Sequence, residues 1–201
     1  LQVCPLCARC FDHTQGMCPE DQSPLAFSRA FPYRVNGRYR LTRFLGEGAT
    51  AQVFEAEDER LGRRVALKAI KPDHFHRESS RQRFEQEARA LAQLTHPSVL
   101  AIFDSGELSD GTVFLVTERL VGAGLGRVLQ TFGPGRPDQV ARLVEAAAEA
   151  LDAAHGARLL HRDLKPGNIF ALPSPLRFKL LDFGLAKEIA EASNLTHTGI
   201  V

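Results

Sequence analysis

Beyond Cys18 the sequence contains no cysteine: Cys4, Cys7, Cys10 and Cys18 all fall within the first 18 of 201 residues. Whatever chemistry they perform is confined to a small N-terminal module. Charge of one sign is not in excess either. The 25 Lys and Arg against 24 Asp and Glu leave a net charge of +1, which gives no global electrostatic reason to bind nucleic acid or an anionic membrane. No apolar run is long enough to span a bilayer, so no membrane anchor is expected in this chain. Residues 1–20 carry cysteines, proline and charge where a secretory leader needs an apolar stretch. Internal repeats and low-complexity tracts are absent. The remainder, 44% hydrophobic and 24% charged, is ordinary for a soluble globular protein. The length allows one large domain, or one domain with a small appendage. The expected location is cytoplasmic. The chain opens on Leu1 rather than Met, so residues are expected to precede it.

Residues 1–25 read as the cysteine-rich module, with little apolar content. Residues 26–38 have no clear period and read as a linker, and regular pattern begins at Tyr39. Tyr39–Leu45, Gln52–Glu57 and Arg64–Ile70 read as strands separated by turn-rich pieces. Ser79 or Ser80 caps a helix to about Leu94, with Phe84, Ala88, Leu91 and Leu94 at helical spacing. Pro97 disfavours helix at His96 and ends it. Leu100–Asp104 and Val113–Arg119 read as two more strands. From Asp138 a helical stripe of Val140, Leu143, Val144, Ala147, Leu151 and Ala154 runs to Gly156, the expected left-handed terminator. Ile169–Ala171 and Arg177–Leu181 are short strand candidates. Strands first and helices after imply an α+β protein rather than an alternating one.

His161-Arg162-Asp163-Leu164-Lys165-Pro166-Gly167-Asn168, followed by Asp182-Phe183-Gly184, places a base, a cation and two metal-ligand candidates within a short span. Phosphoryl transfer needs such a set: a group to orient a hydroxyl, a charge to neutralise phosphate, and oxygen ligands for Mg²⁺. Gly46-Glu47-Gly48-Ala49-Thr50-Ala51-Gln52-Val53 lies between the first two strands. Its glycines let a hairpin turn approach phosphate and present bare N–H groups, although paired glycines in a hairpin are commonly only a turn. In Val65-Ala66-Leu67-Lys68 the period of 2 puts Ala66 and Lys68 on one face. Ala66 leaves room for a flat ring, and Lys68 reaches phosphates from the same side. A lysine ending an apolar strand is otherwise a surface residue. A cation held inside a site needs a partner; Glu87, beside the packed stripe of its helix, is preferred to Glu85.

These motifs, in this order, resemble the eukaryotic-type protein kinases, in particular the bacterial Hanks-type Ser/Thr kinases. The resemblance covers about Tyr39 to Val201, with an N-lobe over about 39–120 and part of a C-lobe over 121–201. It implies ATP as phosphate donor and Mg²⁺ (or Mn²⁺) as cofactor. Asp163 would orient the substrate hydroxyl and accept its proton, and Lys165 would contact the γ-phosphate. Asn168 and Asp182 would hold the metal ion. Lys68 would hold the α- and β-phosphates and pair with Glu87. The Gly46–Gly48 turn would cover the phosphates. Leu45, Val53 and Ala66 above and Phe170 below would enclose adenine, with Thr117, Glu118 and Leu120 along the hinge. As structure alone, those apolar residues are simply core. Lys165-Pro166 points to Ser and Thr hydroxyls of proteins as acceptors. Arg162 would pair with a phosphorylated Thr196 or Thr198, residues that otherwise read as a polar loop. Signalling with self-association for autophosphorylation follows from the same likeness. The third glycine of the loop is replaced by Ala51, and the sequence stops at Val201 within the activation segment. It is therefore expected to be a fragment, and the full-length parent could be membrane-anchored.

The cysteine module reads as two knuckles, Cys4-x-x-Cys7 and Cys18-Pro19-Glu20-Asp21. Without secretory features, such spacing favours metal over disulfides, and a module this small needs a staple. It resembles zinc-ribbon-like motifs joined to some bacterial kinases. Cys4, Cys7 and Cys18 are three expected Zn²⁺ ligands; Cys10, Asp21 or His13 is the fourth. His74 and His76 read as a solvated loop. Two other functions compete: a nucleotide-binding pseudokinase or scaffold whose zinc module binds partners, and a small-molecule phosphotransferase. The intact Lys68, Asp163, Asn168 and Asp182 argue against the first, and Lys165-Pro166 against the second.

Overall fold

The computed structural model describes residues 1–25, 31–48, 50–70, 78–173 and 175–183. The chain divides into two compact units, one of Leu1–Pro72 with Ser105–Arg119, the other of Asp73–Asp104 with Leu120–Val201.

The first unit begins with a two-stranded piece, β1 (Gln2–Val3) and β2 (Cys10–Phe11). Its main layer is built from β3 (Arg34–Val35), β4 (Tyr39–Glu47), β5 (Ala51–Asp58), β6 (Arg63–Ile70), β7 (Ile102–Glu107, of which Ser105–Glu107 fall in this unit) and β8 (Val113–Glu118). They form one sheet in the order β3-β4-β5-β6-β8-β7. Val53 lies opposite Lys68, and Lys68 opposite Leu115; Glu55 lies opposite Ala66, and Ala66 opposite Thr117. Residues opposite one another share a face. One face therefore presents Val53, Glu55, Ala66, Lys68 and Thr117. The other packs Phe54, Ala56, Val65, Leu67 and Val116 into the unit's hydrophobic core.

Residues 31–38 are not a free linker. Phe31 and Val35 are 8% and 0% exposed and join that core. Phe31 stacks on Phe54 with ring centroids 5.4 Å apart. Asn36 and Gly37, at φ 49° and 64°, turn the chain from β3 into β4 in the conformation that Asn-Gly favours. The cysteine module is not separate either, because Leu1 and Cys10 are packed in the same core.

The helix α1 (Glu78–Gln93) clusters with the second unit rather than with the first sheet, so the division differs from a lobe over 39–120. The second unit also holds β9 (Ala123–Gly124), α2 (Leu125–Phe132), α3 (Pro137–Gly156), β10 (Ile169–Pro173) and β11 (Leu176–Leu180). The last two strands pair antiparallel and β9 adds to β10. Neither β9 nor α2 was expected from periodicity. Pro137 opens α3, where its missing N–H is harmless. Arg158 rather than Gly156 takes the left-handed conformation after it, at φ 61°, and Leu159 N–H reaches back to Ala154 O. The apolar stripe of α3 is divided: Ala150 and Ala154 are buried, whereas Val140 and Val144 are exposed.

Gly122 is required by the close approach of β9 to β10. A Cβ there would lie 2.1 Å from Ala171 O and 3.0 Å from the Phe170 ring, at a φ of +150°. Gly122→Ala is expected to destabilise the protein by about 1–3 kcal/mol, read as a lower midpoint of chemical denaturation. Gly126→Ala in α2, where the nearest atom is 3.9 Å away, should be neutral or slightly stabilising.

Candidate active site and metal centre

In the second unit, β10–β11 pairing organises the acidic and amide groups. Ile169 lies opposite Leu180, so Asn168 faces Leu181 just outside the paired region. Leu181 N–H donates to Asn168 O at 2.8 Å, and Asp182 follows directly, at φ 46°. A one-turn 3₁₀ segment, Pro166–Asn168, bends the preceding loop back. Asn168 Nδ2 then donates to Asp163 O and to Asp163 Oδ2, both at 2.9 Å. Lys165 Nζ lies 2.6 Å from the same Oδ2. The carboxylate is thus fixed by one cation and one amide. Because Nδ2 faces Asp163, the planar amide turns Oδ1 of Asn168 the other way.

His161 opens the motif but had no role assigned from the sequence, yet it anchors this loop. It is 3% exposed, its Nε2–H donates to Leu181 O at 2.9 Å, and its ring lies 4.7 Å from that of Phe183. Burial lowers its pKa, favouring the neutral ring. Arg162, at φ 56°, is held in a left-handed conformation uncommon for a residue with a side chain. Its Nη1 pairs with Glu87 Oε1 at 3.3 Å. Glu85 pairs instead with Arg89 one turn along an exposed helix face. Of the two glutamates, then, Glu87 is the one turned toward the loop. Thr196 and Thr198 lie outside the described residues, as do His74, His76 and Gly184.

In the first unit, Val53, Ala66, Lys68 and Thr117 share one sheet face, as alternation required of Ala66 and Lys68. Gly46 and Glu47 pair with Val53 and Gln52, and Gly48 N–H closes the turn on Ala51 O at 2.8 Å. Leu45 at the start of this turn is 44% exposed. Two residues of this face escaped sequence reading. Arg119, directly after β8, places Nε 2.5 Å from Glu55 Oε2, and Thr42 donates to Glu55 O at 3.1 Å. Burial would raise the Glu55 pKa, but Arg119, Arg64 and Thr42 outweigh it and hold the carboxyl below its ordinary range.

The cysteine module consists of two knuckles with the same backbone. Ala8 N–H donates to Cys4 O and Cys4 N–H to Arg9 O; Gln22 N–H donates to Cys18 O and Cys18 N–H to Ser23 O. Ala8 and Gln22 occupy equivalent left-handed positions, at φ 59° and 60°. Asp21 therefore stands where the first knuckle has Cys7. Ligand atoms of Cys4, Cys7, Cys18 and Asp21 all lie within 4.8 Å of one another. Cys7 and Cys18 Sγ are 3.7 Å apart, close to the roughly 3.8 Å that a tetrahedral ion with 2.3 Å bonds to sulfur imposes. Cys10 points away into the hydrophobic core, and exposed His13 pairs with Asp12. Among the alternatives for the fourth position, the clustered residue is Asp21. Burial, together with Cys4, Cys18 and Asp21, pushes the Cys7 thiol up to about 12. The Ser23 hydroxyl and amide hold the Asp21 carboxyl well below its ordinary range. A divalent cation among these groups would make the thiolates the stable form.

The protein kinase domain family model matches residues 39–200. Serine/threonine-protein kinase PknA of Mycobacterium tuberculosis (strain ATCC 25618 / H37Rv) is 41% identical over 171 residues, 83% of this chain and 39% of the relative. Serine/threonine-protein kinase PknB of Mycobacterium leprae (strain TN) is 38% identical over 173 residues, 85% of this chain and 28% of the relative. The chain therefore spans well under half the length of these curated relatives. Among solved structures, the Mycobacterium tuberculosis PknI kinase domain is similar with a TM-score of 0.68 and 31% identity, over 78% of this chain and 64% of that one. Two units that carry the lysine strand, the Asp163 loop and Asp182 in family order, and a match running from Tyr39 almost to the last residue, place the chain in the protein kinase family.

Proposed function

We propose that this chain carries the ATP- and metal-binding part of a protein kinase that phosphorylates Ser and Thr hydroxyls. The reading rests chiefly on Asp163, whose Oδ2 is fixed by Lys165 and Asn168 beside the strand pairing that presents Asp182. A carboxylate so oriented can position an acceptor hydroxyl and take its proton. Lys165 balances the Asp163 charge and would follow the transferred phosphate. The side-chain oxygen Oδ1 of Asn168 and the carboxylate of Asp182 are hard donors that fit Mg²⁺, which when bound neutralises charge on the phosphates. Lys68 would hold the α- and β-phosphates with Glu87 as its partner, under the Gly46–Gly48 turn. Adenine would lie against Val53, Ala66 and Phe170, beside the hinge Thr117–Leu120.

Lys165-Pro166 and the names of the relatives support Ser and Thr as acceptors. Arg162 would exchange Glu87 for the phosphate of a modified Thr196 or Thr198, formed by autophosphorylation between associated copies. Among the described residues no helix is long and apolar enough to cross a membrane. A cytoplasmic site of action is part of the same proposal. Lys68, Asp163, Asn168 and Asp182 are all retained, which favours a kinase over a binding-only relative.

The module is proposed to hold one structural Zn²⁺ through Cys4, Cys7, Cys18 and Asp21. Soft thiolates and one carboxylate suit that ion, and the full ligand set leaves no open position for chemistry.

Two measurements test these readings. Transfer of the γ-phosphate from ATP to a Ser/Thr-rich acceptor protein, assayed at full natural length, should fall by about 10²–10⁴-fold in Asp163→Asn. Equal transfer by both proteins overturns the catalytic assignment. Metal content of protein purified without chelator should be one zinc per chain in the wild type and in Cys10→Ser, and should be lost in Cys7→Ser. A wild type without zinc, or loss in Cys10→Ser alone, overturns the ligand set.

A further inference from the structure

The first knuckle does more than close on itself. Its outer rim is bonded to β4, the strand that leads into the Gly46–Gly48 turn. Phe44 N–H donates to Ala8 O at 2.8 Å, and Arg43 Nε and Nη2 both donate to Cys7 O at 3.3 Å. Arg9 forms an antiparallel bridge with Arg43. The like charges this brings together are each engaged: Arg9 pairs with Glu20 on the second knuckle, and Arg43 with the Cys7 carbonyl.

The position of this contact along β4 matters. Pairing of β4 with β5 shifts register between Leu41 and Arg43 and again between Phe44 and Gly46. The docked pair Arg43–Phe44 therefore sits between two irregularities, where the ladder to β5 is weakest. Beyond the second irregularity come Gly46 and Glu47. Below the contact, the Phe44 ring packs on Phe54 at 5.4 Å, and Leu1 and Cys10 enter the core that contains Phe54. The knuckle rim thus bonds Arg43 and Phe44, and the Phe44 ring packs on the core beneath.

We propose that metal bound at Cys4, Cys7, Cys18 and Asp21 is a positioning device for the nucleotide: it fixes the knuckle whose Cys7 and Ala8 carbonyls hold Arg43 and Phe44, and so sets the shape of the Gly46–Gly48 turn. This rests on the reading of the module as a zinc site and of the turn as the phosphate loop. The first knuckle is closed by two backbone bonds, Ala8 N–H to Cys4 O and Cys4 N–H to Arg9 O. Without the cation, the carbonyls of Cys7 and Ala8 lose their fixed place. β4 then loses an outer partner at its most irregular point.

The test compares zinc-loaded protein, chelator-treated protein and Arg43→Ala, each assayed for zinc, for equilibrium binding of Mg²⁺–ATP, and for amide hydrogen exchange over residues 40–53. Chelation should weaken nucleotide binding about tenfold, the loss expected if the turn holds its binding shape one-tenth of the time. It should also speed exchange at Phe44. Arg43→Ala, whose side chain meets Cys7 only at its backbone carbonyl and no metal-binding atom, should keep its zinc and show the same two changes to a smaller degree. Unchanged nucleotide affinity and Phe44 exchange after zinc has demonstrably left would overturn the proposal and leave the zinc reading standing. Unchanged behaviour of zinc-loaded Arg43→Ala would overturn the route through β4. A wild type that carries no metal removes the underlying reading, and this proposal with it.

Discussion

A shift of one residue in the pairing of β10 with β11 would turn every side chain of that hairpin to the opposite face. It would also part Leu181 from both of its partners, the Asn168 carbonyl and the His161 ring, which meet it at 2.8 Å and 2.9 Å. Asn168 holds Asp163, and His161 packs on Phe183. The loop from His161 to Asn168 has little regular structure of its own. Its shape is borrowed from a strand register, enforced by buried Ile169, Ala171, Phe178 and Leu180. The first unit follows the same logic. There the pairing of β6 with β5 and β8 decides that Ala66 and Lys68 face one way and Val65 and Leu67 the other.

Charge is placed only where this framework can neutralise it. Asp58 is fully buried, and Arg38 meets both of its oxygens at 2.9 and 2.8 Å, which outweighs the cost of burial and lowers its pKa. Glu55 is treated similarly by Arg119. Such pairs add little net stability, but removing one partner leaves a buried charge exposed to the full desolvation penalty. They therefore act as locks on strand register more than as sources of cohesion. Asp163 differs in being partly exposed, with a cation and an amide on one oxygen.

Much of this was legible in the residues. Period 2 in Val65–Lys68 foretold the shared face, and the residue types from Asp163 to Asn168 marked that stretch as polar and chemically equipped, though not how it folds. Asn36-Gly37 is a strong hairpin signal that the reading of 26–38 as a linker passed over, because the irregular spacing of Phe31, Tyr33 and Val35 around it masked their burial. Cys10 could not be separated from Asp21 by spacing alone. Only the repeated backbone of the two knuckles equates Asp21 with Cys7 and frees Cys10 for the core. Glu55 and Arg119 lie 64 positions apart, and neither carries a local pattern that announces the other. The helix α2 follows a glycine without a side-chain cap, so its start had no marker.

The first sheet is assembled from two stretches of chain, and β8, whose residues Val113 to Thr117 are all buried, lies between β6 and β7. During synthesis β6 is complete long before β8 emerges. Until then its outer edge presents unpaired backbone groups beside apolar Val65 and Leu67, the kind of edge that other chains can join. Arg119, the partner that Glu55 must await, comes directly after β8. A nascent chain thus closes its sheet and neutralises its buried carboxylate at nearly one moment of translation, and until that moment it carries the open edge through which chains misassemble.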